Sequence, residues 1–423
     1  MQDPRPSRRR YEIALWIDRR IGPVLCAVLL GVKRLSRRRK DPLPPGQVRK
    51  ILLLKMWGMG SMVLASPLLE KLRLRHPGAR IDFVTLLENA AIVKMYPGIE
   101  RLITIDLGRG TFRFLFDTVR TLWSIRREGY DLLLDLEFFT RFSAIFSFLA
   151  GPTWSHGFSA KGNWRGKLHD VEVPFNAYNH VASNFLTVLR GDYMNPVEAE
   201  ELARPGVLPR LSPPVGSWES CRRRLSQHPA WREGEPIVVV NPNAGDMALE
   251  RRWPASHVTA LLTDLTARCS VNLVLIGSPT ERGYVESLVA ESDPGSRVIS
   301  LAGETDIAEL VALFAHAAVV VTNDSGPMHI AAAAGASTVA LFGPETPTLY
   351  SPLRSAREQR HIVHHQKLAC SPCMFVHDNK VLSCWFAQAK CMAGIEPADV
   401  VASVEALLAG DPAQTPGLRV IDS

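Results

Sequence analysis

A two-domain α/β fold with parallel, doubly wound sheets is predicted by three observations. Short apolar runs alternate with helical patterns along most of the chain, the order of strand–helix–strand units. The alternation stops in a proline-rich stretch, "RPGVLPRLSPPVGSW", and then starts again. At 423 residues and 46% hydrophobic, the chain can fill two domains of roughly 100–200 residues each.

Residues 1–47 form a basic, partly apolar arm ahead of the first domain. Residues 1–50 hold 14 Lys/Arg and 4 Asp/Glu, leaving 35 basic and 38 acidic residues in the rest. The net charge of +7 therefore belongs to the arm, and a near-neutral remainder does not suit nucleic acid. The uncharged segment Ile21–Val32 is 12 residues long, short of the roughly 20 that cross a bilayer. Flanked by Arg and Lys and lacking a small-residue cleavage site, it reads as a segment lying on an anionic leaflet. Residues 1–45 are thus expected to meet an anionic membrane surface from the cytoplasmic side. A disordered basic leader and a cleaved signal are the alternatives.

The first domain is expected at 48–205. Strands are predicted at Ile51–Leu54, Ile81–Leu86, Leu102–Ile105 and Asp131–Leu136, with helices at Leu64–Arg75 and Phe112–Arg127. In the first turn, "KMWGMGSMVLASPLLEKL", Gly58 and Gly60 permit a tight bend and close approach of a ligand. Val63 stands where a dinucleotide fingerprint has its third glycine, which disfavours a nicotinamide-dependent oxidoreductase. Ser61 is placed to cap the following helix.

A linker is read at 206–236, a second domain at 237–405 and a tail at 406–423. Strands are predicted at Ile237–Asn241, Val271–Ile276, Val298–Leu301, Val319–Thr322 and Thr338–Phe342. The two halves are expected to face each other across a ligand-binding cleft. In "VVVTNDSGPMHIAAAAGASTVALFGP", four polar residues lie between two buried-looking strands. Asp324 or Ser325 would cap a helix with Pro327 in its first turn, at the carboxyl edge of the sheet where α/β folds bind ligands. That helix start is a ready anion site. Arg251 and Arg252, in "NPNAGDMALERRWP", suit a diphosphate because guanidinium is permanently charged and bidentate. His329 can add a hydrogen bond to a phosphate or sugar oxygen. Asp324, itself negative, is expected to cap or to accept from sugar hydroxyls.

Four of the seven cysteines cluster late, at Cys370, Cys373, Cys384 and Cys391. The first pair has a spacing that zinc sites use, whereas the second is six apart. Zinc ligation and reduced thiols in a loop both fit, and a disulfide framework is not expected.

These residues resemble glycosyltransferase family 9, the ADP-heptose:lipopolysaccharide heptosyltransferases and their relatives. The resemblance runs from about residue 48 to about 405. It is carried by "NDSGPMHIAAAAG…TVALFGP", "ERRWP", "GMGSMVLASPLLEKLRLRHPGARIDFV" and "YDLLLDLEFFTRFSAIFSFLAG". It implies a GT-B fold, a nucleotide-diphospho-sugar donor in the second domain, a lipopolysaccharide or lipid-linked acceptor in the first, and inversion at the anomeric carbon. It implies no metal and no other cofactor. By position, Asp324, Ser325, Gly326 and His329 would border the donor, and Arg251 takes the place of the family's phosphate-binding lysine. Thr305 would meet the nucleoside, with Glu281 as a further nucleoside contact.

Two departures concern the base. The family carries Gly-Asp after the first strand, where this chain has Gly60-Ser61. "DLEFF" puts Glu137 beside two phenylalanines, where burial can raise its pKa toward that of a working base. The alternative is an i,i+4 pair with Arg141. An inverting glycosyltransferase is the first expectation, and a sugar-nucleotide-binding assembly partner that has lost transfer is the second.

Overall fold

The computed structural model describes residues 16–36, 47–108, 110–159, 163–189, 208–245, 248–292, 297–356, 358–374, 384–410 and 417–422. The arm's ends at 1–15 and 37–46, the 205/206 domain boundary and residues 375–383 of the cysteine loop lie outside them. Among the described residues the chain divides into two compact units, one up to residue 189 and one from 208 onward.

The first unit is built on a six-stranded sheet, wholly parallel, in the order β3-β2-β1-β4-β5-β6. Its strands are β1 (Lys50–Leu54), β2 (Arg80–Leu86), β3 (Arg101–Ile105), β4 (Leu132–Asp135), β5 (Trp154–Ser159) and β6 (Val171–Pro174). β1 pairs with β2 on one side and β4 on the other, so its leucines are buried on both faces. Leu52, Leu54, Val84 and Leu133 form one core with Ile125 and Phe146. Its helices of more than one turn, in chain order, are α1 (Gly22–Ser36), α2 (Met59–Ala65), α3 (Pro67–Arg75), α4 (Thr111–Glu128), α5 (Arg141–Ala150) and α6 (Val181–Val188).

The helix predicted at Leu64–Arg75 is two helices. Pro67 has no N–H for the carbonyl of Val63, so the ladder breaks there. That carbonyl accepts instead from the Ser66 backbone N–H at 3.1 Å and the Ser66 hydroxyl at 2.6 Å.

The apolar part of the arm is α1, and it is docked on the first unit. Cys26 is fully buried with Ala144 and Leu168. Lys33 Nζ donates to the carbonyls of Lys167 at 2.9 Å and His169 at 2.6 Å. Asp18, just ahead of α1, accepts from the backbone N–H groups of Arg141 at 2.8 Å and Phe142 at 2.9 Å. These are the first two residues of α5, so the arm caps a helix more than a hundred residues away. No helix among the described residues is long and apolar enough to cross a membrane.

The second unit repeats the plan with seven parallel strands in the order β13-β12-β11-β10-β7-β8-β9. They are β7 (Ile237–Asn241), β8 (Asn272–Leu275), β9 (Val298–Ser300), β10 (Ala317–Asn323), β11 (Ser337–Phe342), β12 (Arg360–His365) and β13 (Gly417–Asp422). The tail read at 406–423 thus supplies an edge strand. Residues 208–236, read as linker, include α7 (Ser217–Gln227), whose Ser220 and Arg224 both donate to Glu309. Glu309 lies on α10 (Ile307–His316), after α8 (Ala255–Arg268) and α9 (Arg282–Ser292). α11 (Gly326–Ala334) and α12 (Pro397–Leu408) are its other helices of more than one turn. In each sheet the strand order reverses beside the first strand, between β1 and β4 and between β7 and β10. Open α/β sheets bind ligands outside the carboxyl ends of the strands at such points.

Candidate active site

At the first switch point, Lys55 and Glu137 meet just past the ends of β1 and β4. Lys55 Nζ donates to Glu137 Oε1 at 3.0 Å and to the Trp57 carbonyl at 2.9 Å. The same carboxylate oxygen accepts from the backbone N–H groups of Met56 at 2.7 Å and Trp57 at 2.8 Å. Both side chains are fully buried, and Glu137 Oε2 has no partner. Lys55 also lies within 6.0 Å of the rings of Phe138, Phe139 and Phe185. Glu137 therefore holds the β1 loop, an occupation different from a base open to an acceptor hydroxyl. The Arg141 pairing is replaced as well: Arg141 faces Asp18 at 3.4 Å.

The Glu137 loop is pinned from below. The buried guanidinium of Arg165 donates to the carbonyls of Glu137, Thr140 and Phe158, to Ser143 Oγ and to Asp135 Oδ2. Burial works to raise the Asp135 carboxyl, but Arg165 and His169 outweigh it and hold it below the ordinary range.

Ser61 does not cap. It is the third residue of α2, and its hydroxyl donates back to the carbonyls of Gly58 at 2.8 Å and Trp57 at 3.1 Å. Gly58 has φ 82°, which glycine adopts without strain. Gly60 lies inside the helix and does not share that conformation.

At the second switch point, neutral amides stitch the loops together. Asn241 Nδ2 donates to Thr322 Oγ1 at 3.0 Å and Ser325 Oγ at 3.1 Å. Asn323 Nδ2 donates to the Asn243 carbonyl, and Asn243 Nδ2 to that of Ile276. Arg251 Nη1 is 3.3 Å from Asp324 Oδ2, and its Nε is buried without a partner. Burial pushes the Asp324 carboxyl above the ordinary aspartate range, and Arg251 works against that rise. Asp324 thus orients the guanidinium instead of capping.

Ser325 occupies the N-cap of α11 by its backbone, but no side chain caps the helix. Gly326 and Pro327 open the helix, and buried His329 lies one turn in. An uncapped helix start beside a held arginine has the chemistry to accept an anion. Arg252 points elsewhere, its guanidinium stacked 4.1 Å from the Tyr284 ring centre. Thr305 directly precedes the Asp306–Glu309 capping box of α10. Glu281 folds onto its own turn, accepting from the N–H and hydroxyl of Ser278, both at 2.8 Å.

A family profile described as glycosyltransferase family 9 (heptosyltransferase) matches residues 119–381. The chain belongs to this family. The glycosyltransferase is 27% identical over 317 residues to lipooligosaccharide heptosyltransferase 2 of Haemophilus ducreyi, covering 72% of this chain and 86% of that one. It is 28% identical over 325 residues to lipopolysaccharide heptosyltransferase 2 of Escherichia coli, covering 75% and 90%. The solved structure of E. coli ADP-heptose lps heptosyltransferase II superposes with a TM-score of 0.68 at 23% identity, covering 85% and 98%. The glycosyltransferase therefore has the GT-B type of fold, two doubly wound α/β domains.

Cys370, Cys373, Cys384 and Cys391 of this glycosyltransferase line one small pocket as free thiols. Among the described residues no group of three or more His, Cys, Asp or Glu is arranged to hold a metal ion. Burial pushes the Cys391 thiol up to about 11. Sequence reasoning missed Lys55, Arg165, Asn241 and Asn243, whereas Asn323 is one of the four polar residues it set between the two strands. A lone lysine closing the apolar run "KILLLK" was a usable signal, because such a charge requires a buried partner.

Proposed function

We propose that the protein transfers heptose, with inversion, from a nucleotide-diphospho-heptose to a lipopolysaccharide-type acceptor at the cytoplasmic face of the membrane. The observation that carries this reading is the second switch point: an uncapped helix start beside an arginine held by Asp324. It supplies what a leaving diphosphate requires, without a metal. The lipopolysaccharide heptosyltransferase names of the relatives support the choice of sugar and acceptor. Arg251 takes the diphosphate, with Ser325, Gly326 and His329 along its border and Thr305 toward the nucleoside. Glu137 acts as a positioning residue for the loop from Met56 to Ser61, where the acceptor is placed. The arm holds the enzyme at an anionic leaflet.

The experiment is transfer from ADP-heptose to heptose-deficient lipopolysaccharide, read as the mass gain of the glycolipid. Tight donor binding with no mass gain on any heptose-deficient acceptor would favour a sugar-nucleotide-binding assembly partner. Ser61 in place of the family's aspartate is what keeps that second reading open.

A further inference from the structure

We propose that α4 joins α1 in one arginine-edged apolar face that docks on an anionic bilayer. The inference rests on the membrane reading above and extends it from the arm to the body of the first unit. α4 carries two apolar stripes. Phe114, Leu122 and Ile125 pack inward against the sheet core. Phe112, Leu115, Phe116, Val119 and Trp123 face outward, with Phe112 91% and Trp123 56% exposed. A surface helix ordinarily keeps its outer face polar, so this second stripe requires a cover.

α1 has the same surplus. With Cys26 buried on α5, Val24, Val28, Val32 and Leu35 remain exposed. Both helices pack on α5, α4 through Phe114 against Phe142 at 5.7 Å and α1 through Cys26 against Ala144. The two stripes therefore flank one helix of one unit.

Charge decides between a membrane and a protein partner. α4 carries Arg113, Arg120, Arg126 and Arg127, and Arg127 lies 3.2 Å over the Trp123 ring. Its one mid-helix acid, Asp117, faces Arg113 at 3.5 Å. Arg19 and Arg20 precede α1, Arg34 lies in its last turn, and the sequence continues as Arg37-Arg38-Arg39-Lys40. Asp18 is spent on the α5 backbone. Aromatic and aliphatic side chains edged almost wholly by arginine match acyl chains beneath anionic headgroups. α1, at 15 residues, can lie in that interface but cannot span it.

The test is co-sedimentation of the full chain with phosphatidylethanolamine/phosphatidylglycerol vesicles and with phosphatidylcholine vesicles. Phe116→Glu/Trp123→Glu on α4 is expected to weaken partitioning onto the anionic vesicles by about tenfold or more. Melting temperature and sugar-nucleotide affinity should stay at wild-type values. Val24→Glu/Val28→Glu on α1 reports the arm separately. If the α1 variant loses binding and the α4 variant binds as wild type, the inference falls and the arm reading stands. If wild type partitions onto neither vesicle, the membrane reading itself falls. If wild type is a dimer that Trp123→Glu renders monomeric without altering vesicle binding, the face covers a second copy and the inference is overturned.

Discussion

Lys55 and Glu137, 82 positions apart, form a fully buried ion pair at 3.0 Å that ties the end of β1 to the end of β4. Removing one partner leaves an uncompensated buried charge, so Lys55→Met should cost about 3–5 kcal/mol in denaturant unfolding. Lys55→Met/Glu137→Gln should recover much of that loss, because a glutamine oxygen still accepts from Met56 and Trp57.

For turnover, Glu137→Gln alone is expected to remain within about tenfold of wild type, with an unchanged pH–kcat profile. A loss of about 10²–10⁴ on a folded protein, the usual effect of removing a general base, would return the base role to Glu137.

Arg251→Ala should weaken nucleotide-diphosphate binding by about 1.5–3 kcal/mol, the range for hydrogen bonds to charged groups. The single variant also strands the Asp324 carboxylate, so Arg251→Ala/Asp324→Asn is the cleaner protein for calorimetry. Wild-type affinity in that folded double variant would remove Arg251 from the donor site.

Donor affinity should rise as pH falls through the raised Asp324 pKa. A diphosphate draws on Arg251 and disfavours an ionised carboxylate beside it, so binding takes up a proton. Calorimetry with a sugar nucleotide in two buffers of different ionisation enthalpy measures that uptake. No uptake at any pH would separate Asp324 from the phosphates.

Asp18→Ala should destabilise the first unit by about 0.5–2 kcal/mol, the cost of losing a helix cap. Truncation before residue 47 should cost more, since Cys26 and the two Lys33 hydrogen bonds go as well. A truncated chain with wild-type melting behaviour would show that α1 is not docked in solution.

His361 sits in β12 with Nδ1 2.9 Å from Thr338 Oγ1 and Nε2 buried without a partner. Burial and then Arg354 push its pKa down from 6.5 to about 3. The folded pKa lies below the unfolded one, so the stability from a neutral His361 is fully present above pH 6.5 and is lost progressively as pH falls from 6.5 to about 3. The slope should approach about 1.4 kcal/mol per pH unit, and His361→Gln should flatten it in thermal unfolding between neutral and acid pH.

The strands flanking both switch points were legible because each is a nearly unbroken apolar run, as a parallel strand covered on both faces must be. β5 as "WSHGFS", β6 as "VEVP" and β12 as "RHIVHH" carry too many polar residues for that pattern. They are strands because a formed neighbour offers a ladder to complete, information that no local window contains. The site divides the same way. The Asp-Ser-Gly-Pro helix start and Arg251 are local motifs, whereas the Asp18 cap and the Lys55–Glu137 pair join positions far apart in sequence. The Ser66–Pro67 break was local and readable, and Pro67 should have ended the helix predicted at Leu64–Arg75.

The Glu137 carboxylate accepts the two successive loop N–H groups that a nucleotide-binding turn would aim at a phosphate. The first half thus carries its own resident anion, written into the polypeptide. The second half holds its corresponding loops with uncharged amides. Two sheets wound in like order thus differ in what ties their first loops down, a charged pair in one and neutral amides in the other.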